Sequence, residues 1–129
     1  MHRYDPETTP NKSGWLALDE QIRIDLAIAY HRHAKVKVPN LQVHGAIHVI
    51  VENQIAMELD AVVRAIERLQ GEGLSRHDSI HAIGSVLAEY LFGTSQREGA
   101  DDPHTVNARY SAAVERLNAR QWFKDYGKK

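Results

Sequence analysis

A chain of 129 residues, 43% hydrophobic and 26% charged, fits one soluble globular domain with room for a real core. Sixteen basic against 17 acidic side chains leave a net charge of −1, too balanced for a broad nucleic-acid or anionic-membrane surface. Cysteine is absent, which excludes disulfides, thiolate zinc sites, iron–sulfur clusters and cysteine nucleophiles.

Residues 1–14 carry Pro6, Pro10, Asn11 and Gly14 and read as an irregular arm, anchored by Trp15 and Leu16. Their polarity gives no apolar signal-peptide core, and a cytoplasmic protein is the expectation. Asp19 is a good N-cap, with Glu20 favourable in the first turn of a first helix. Ile22, Leu26 and Ala29 form a stripe at helical spacing that His33 continues, while His31 follows Ile24 and Ile28 on the neighbouring one. This helix should end within residues 36–40, before Pro39.

Asn40 can cap a second helix from Leu41. The β-branched run Ile47-His48-Val49-Ile50-Val51 could be a buried strand. It continues, however, through Glu52-Asn53-Gln54-Ile55-Ala56-Met57-Glu58-Leu59 without a turn signal, so helix is preferred. Apolar residues cover most of its circumference, as in a central, buried helix. Run 46–51 contains His48 and is far too short to span a bilayer, so no membrane partner is expected. Asp60 can cap a short helix carrying Val62, Val63, Ile66 and Leu69, stopped by Gly71 and Gly73.

Ser75 and Asp78 form a capping-box-like start for a third helix. It buries Ile80, Ile83, Leu87 and Leu91. His77, His81, Gly84 or Ser85, and Ala88 make a second stripe, whose small members let another helix approach closely. Residues 93–102 read as a polar loop, and Pro103 suits the first turn of a last helix. That helix carries Val106, Tyr110, Ala113, Leu117 and Gln121, with Trp122 and Phe123 near its end. The expected class is all-α: a compact bundle of four main helices plus one short helix. The domain spans residues 15–126, with an arm over 1–14 and a tail over 127–129. Residues 103–129 hold six basic and two acidic side chains, read as a solvated face rather than a phosphate or RNA surface.

Eight histidines include two His-x-x-x-His pairs, His44/His48 and His77/His81; random placement gives roughly 0.5 such pairs. The spacing sets both rings of a pair on one helix face, about 5–6 Å apart at Cβ. Burying an imidazole or carboxylate without a partner costs a few kcal/mol, and a metal would satisfy several at once. The expected centre is a divalent transition metal, zinc first with iron, nickel or manganese as alternatives. Its expected ligands are His44, His48, His77 and His81, with Glu52 a ligand or an outer partner orienting an imidazole. The dipole at the start of the third helix should keep His77 neutral. His31 is a candidate fifth ligand and Glu89 a remote one. His2, His33 and His104 read as ordinary surface residues.

Geometry sets a condition. Were 41–70 one straight helix with 76–92 folded back on it, His48 would lie about 24 Å from His81. The pairs can meet only if the chain bends near Leu59–Asp60, or across a homodimer. Without a metal, the same histidines would be a structural polar network in a non-enzymatic helical interaction module.

His77-Asp78-Ser79-Ile80-His81 differs by one carboxylate type from the H-E-x-x-H zinc-protease signature, making Asp78 the candidate catalytic base. Gly84 matches the longer form of that motif, but Leu87 stands where its closing histidine belongs. His77-Asp78 also resembles the doublet of HD-type metal phosphohydrolases, with His48 or His44 before it and Asp101 or Asp102 after. His48-x-x-x-Glu52 and His77-x-x-x-His81 resemble parts of the hemerythrin di-iron site, whose late H-x-x-x-x-D has no counterpart after His104.

His44, His48, Val51-Glu52-Asn53-Gln54, Arg68-Leu69 and the run from Arg76 through Gly84 carry a wider resemblance. Segment 44–91 resembles an uncharacterised bacterial family of small helical proteins, and Tyr30-His31-Arg32 extends the likeness. Asp78 stands where the resemblance implies Glu. The resemblance implies that the His and Glu set belongs together, and it supplies no substrate.

Overall fold

The computed structural model describes residues 3–35, 38–92 and 103–126. Among the described residues the chain is all-α, with seven helices and no strand. These are α1 (Lys12–Ala17), α2 (Glu20–His33), α3 (Leu41–Ala56), α4 (Asp60–Gly71), α5 (Arg76–Phe92), α6 (Pro103–Glu115) and α7 (Ala119–Tyr126). No helix among them is long and apolar enough to cross a membrane.

The count corrects the expected four main helices plus one short one at two places. Helix α1 begins inside the stretch expected to be irregular, because the Asn11 side chain accepts from the Gly14 N–H and caps it. The last helix is two: the chain turns after Glu115, and the Asn118 Oδ1 accepts from the Gln121 N–H to start α7. Arg68 donates to the carbonyls of Val114 and Leu117, and Glu72 Oε1 accepts from the Ala119 N–H. Helix α4 thus satisfies backbone groups at both ends of that break. The expected loop over 93–102 lies outside the described residues.

Helix α3 is the centre. Residue pairs 31/44, 28/45 and 23/53 set α2 antiparallel against one side of it. Pairs 76/52, 81/48 and 84/47 set α5 antiparallel on another. Glycines permit both approaches. A Cβ on Gly45 would sit 2.8 Å from Ile28 Cγ1, and one on Gly84 would sit 3.1 Å from Ile47 Cγ2. The small-residue stripe on α5 therefore does bring another helix close. On α2 the buried face is Ala27, Ile28 and His31; Ile22, expected inside, is 46% exposed.

The bend on which the metal hypothesis depends is present, but Asp60 does not make it. Helix α3 stops at Ala56, and α4 is N-capped by Leu59 without a side-chain cap. The turn is a Schellman motif: Leu59 N–H bonds to Gln54 O, Glu58 N–H bonds to Ile55 O, and Glu58 is left-handed at φ 61°. Helix α4 ends in the same motif, with Gly73 in the left-handed position at φ 109°. The Asn40 and Ser75 caps form as expected, accepting from the N–H groups of Val43 and Asp78.

Two buried clusters result. Leu69, Val62, Ile80, Ile83, Val114 and their neighbours unite α4, α5 and α6 with the far end of α3. A smaller one joins Tyr4, Trp15, Ala27 and Val49. The histidines lie beside the second.

Candidate metal centre

Consecutive side chains on α3 fan out by about 100° each, and Glu52-Asn53-Gln54 shows the consequence. Glu52 takes Arg76 of α5; Asn53 Oδ1 accepts from Trp15 Nε1 and Arg23 Nη1; Gln54 Oε1 accepts from Tyr110 OH of α6. The triplet ties the central helix to four others. One turn before Glu52 lies His48, and one turn before that His44.

The bend swings α5 back so that the two histidine pairs meet within one chain. Ring centroids are 4.2 Å apart for His77 and His81, 5.3 Å for His48 and His81, and 5.0 Å for His44 and His81. No second subunit is required to unite them. His31 joins from α2, with its centroid 4.9 Å from His48 and 5.5 Å from His77. One donor atom from each of His31, His48, His77 and His81 lies within 4.8 Å of the others. This four-histidine group could hold a metal ion.

Its membership differs from the expected set in three respects. His31, expected only as a fifth ligand, belongs to the four. His44 stands at the rim, its Nε2 3.2 Å from His31 Nε2. Glu52 is not among the grouped donors, because its carboxylate is already taken. Arg76 donates to both oxygens at 2.8 Å, and Tyr4 OH donates to Oε2 as well. Asp78 is half-buried and Glu89 exposed, and both lie outside the group. His33 is exposed, as expected; the side chains of His2 and His104 lie outside the described residues.

The surrounding hydrogen bonds fix which ring nitrogen points inward. Tyr4 OH donates to the Glu52 carboxylate, whose two oxygens also accept from Arg76. The Tyr4 oxygen then accepts from His48 Nδ1 at 2.9 Å, leaving the His48 Nε2 lone pair free. His31 Nδ1 donates to the Ala27 carbonyl at 2.7 Å, so its Nε2 is also an acceptor. The remaining His44 contact is therefore an Nε2–H donated to that lone pair. Buried Nε2 atoms of His48, His77 and His81 have no hydrogen-bond partner. An imidazole whose outer nitrogen is held by an oxygen and whose inner nitrogen is free is the usual arrangement of a metal-ligating histidine.

Burial is the largest influence on every ring, and it disfavours the imidazolium. His44 is pushed down to about 4 and His81 to about 3, each lowered further by neighbouring histidines. His31, His48 and His77 are lowered as well. The neutrality expected for His77 is thus met mainly by burial, which outweighs the raising effects of Glu7, Asp78 and Asp5. Burial, then Glu52, raises Tyr4 and keeps it a phenol.

Tyr4 and Arg76 were not among the sequence candidates. Arg76 stood beside His77 in the quoted motif, where a guanidinium facing a carboxylate 24 positions away has no local signature. Tyr4 lay in a polar stretch of prolines. A groove of about 240 Å³ opens between α3 and α5, lined by His44, Ile47, His48, Ile80, His81, Gly84, Ser85 and Ala88. Comparison with protein-family models, curated proteins and solved structures finds no match.

Proposed function

We propose that this chain is a metal-binding protein whose centre is the imidazole cluster, with a divalent transition ion, zinc foremost, held by His31, His48, His77 and His81. The observation that carries this reading is the set of three buried, unpartnered Nε2 atoms on His48, His77 and His81. A buried polar atom without a partner costs about 1–3 kcal/mol, and one cation would satisfy all three. Tetrahedral zinc ligands at about 2.0–2.1 Å stand about 3.3 Å apart. The donor atoms now span up to 4.8 Å, so binding would draw them closer together. Neutral nitrogen donors suit zinc, nickel, iron or copper over magnesium or calcium. His44 is a reserve ligand, freed when the cation takes the His31 lone pair. Where one position stays open to water, a bound hydroxide would supply hydrolytic chemistry.

The test is metal analysis of purified chain together with thermal melts in chelator and in added Zn²⁺, Ni²⁺, Mn²⁺ or Fe²⁺. About one ion per chain is expected, lost in His48→Ala and His81→Ala. No metal and no rise in melting temperature would remove the reading. The competing reading, a helical interaction module with a structural histidine network, is favoured by one contact, the hydrogen bond between His44 and His31. It requires a melting temperature indifferent to chelator.

A further inference from the structure

The groove between α3 and α5 is lined by both imidazole and hydrocarbon. His44, His48 and His81 form the first; Ile47, Ile80 and Ala88 supply the second. His48 is only 2% exposed, and its unpartnered Nε2 is buried behind this wall. Ser85 also lines the groove, but its hydroxyl hydrogen is donated to the Ala82 carbonyl at 2.7 Å, so it offers a ligand no donor.

We infer that this groove binds a small aliphatic or aromatic monocarboxylate, its head taking a fifth position on the cation and its apolar tail between α3 and α5. The inference rests on the metal reading above. Four neutral imidazoles supply no negative charge to a divalent cation, and Glu7, Asp78 and Asp5, which act on His77, lie outside the groove. The buried carboxylate nearest by sequence and contact, Glu52, is committed to Arg76, and no acidic side chain lines the groove. An anion is the complement. No lysine or arginine lines it either, so a phosphate carrying about two charges would lack the cationic donors it requires. A carboxylate without a tail would leave Ile47 and Ala88 against water; Ile80 is already buried in the core. At roughly 30 Å³ per water-sized group, the space takes about eight non-hydrogen atoms, the size of hexanoate or benzoate.

The experiment is calorimetric titration of the full chain, loaded with zinc, with hexanoate, acetate, hexylamine and inorganic phosphate in turn. Hexanoate should bind at least about tenfold tighter than acetate, since burying each methylene favours association several-fold. Hexylamine should not bind, and hexanoate should not bind after zinc is stripped. Ala88→Leu should weaken hexanoate at least about tenfold while zinc stoichiometry is retained. If that variant fails to fold, amide shifts in the unaltered chain decide, and hexanoate should move Ile47, Gly84 and Ala88. Hexanoate no tighter than acetate, equal binding without zinc, phosphate binding tighter than hexanoate, or shifts elsewhere overturns the inference. A chain that takes up no zinc loses the metal reading and this one together. A chain that takes up zinc and ignores hexanoate loses only this one.

Discussion

Helix α5 has two sides, filled by opposite means. Ile80, Ile83 and Leu87 belong to a buried hydrocarbon cluster with Val62 and Leu69 of α4 and Val114 of α6. His77 and His81 look instead into a ring of imidazoles backed by an ion pair and a phenol. The hydrocarbon side is stabilised by leaving water and needs no partner. The imidazole side buries lone pairs and N–H groups, and three ring nitrogens have nothing to bond. A fold seeking stability alone fills such a space with leucine. The contrast teaches that the two sides of one helix are built differently, one filled by packing and one leaving buried ring nitrogens without partners.

Breaking the ion pair should have the largest effect. Glu52 and Arg76 are 1% and 3% exposed, and removing one partner of a buried pair costs about 3–5 kcal/mol. Arg76→Met is expected to lower stability by that order in denaturant melts. It should also weaken metal binding, since the carboxylate loses the guanidinium that fixes it beneath Tyr4. Stability unchanged in Arg76→Met would mean that the pair does not organise this half.

Leu69→Ala is the matching cut on the other side. Leu69 is fully buried, and a large-to-small change there costs about 2–5 kcal/mol. Metal affinity should stay the same, measured by competition with a chromogenic chelator in the folded variant. A parallel loss of affinity would show that the two sides are not separable.

Added metal should sharpen the contrast from the other direction. Zinc at a hundred times its dissociation constant would raise stability by about 2.7 kcal/mol, in the parent chain and in Leu69→Ala, but not in His81→Ala.

Acid should act on the same side. The folded chain holds His44 and His81 at about 4 and about 3, below their ordinary value of 6.5, whereas the unfolded chain takes up protons as pH falls through 6.5. Between these limits the unfolded state binds more protons. Stability should therefore be full above pH 6.5 and decline steadily from there towards pH 3. Leu69→Ala should move this curve down without changing its slope, while replacing His81 by Ala should flatten it. A slope unaltered in the His81 variant would contradict the assignment.

What the sequence made legible divides along local and distant lines. The histidine pairs, the Asn40 and Ser75 caps and the glycine stop at Gly73 are local patterns, and each forms as expected. The bend after α3 uses the same Schellman geometry as Gly73 but puts Glu58 in the left-handed position, where glycine would have announced it. His31 lies on a stripe the sequence shows, yet its place in the histidine group depends on the crossing of α2 over α3 at Gly45. The spacing of Glu52 to His48 fits either a ligand or an outer partner of an imidazole. Only the fold reveals that Arg76 occupies the Glu52 carboxylate.

The smallest effect separates positioning from packing. Tyr4→Phe keeps the ring in its cluster with Trp15 and removes only the hydroxyl that joins Glu52 to His48 Nδ1. Without it, His48 can adopt the other tautomer, with the proton on the nitrogen that faces the centre. Loss of such an outer partner typically lowers metal affinity 10–100-fold, which is about 1.4–2.7 kcal/mol. The expected result is a weaker zinc constant in Tyr4→Phe with a metal-free melt lowered by far less than in Arg76→Met. An unchanged zinc constant would mean that His48 keeps its inward lone pair without Tyr4, and the chain of hydrogen bonds from Arg76 would then be packing alone.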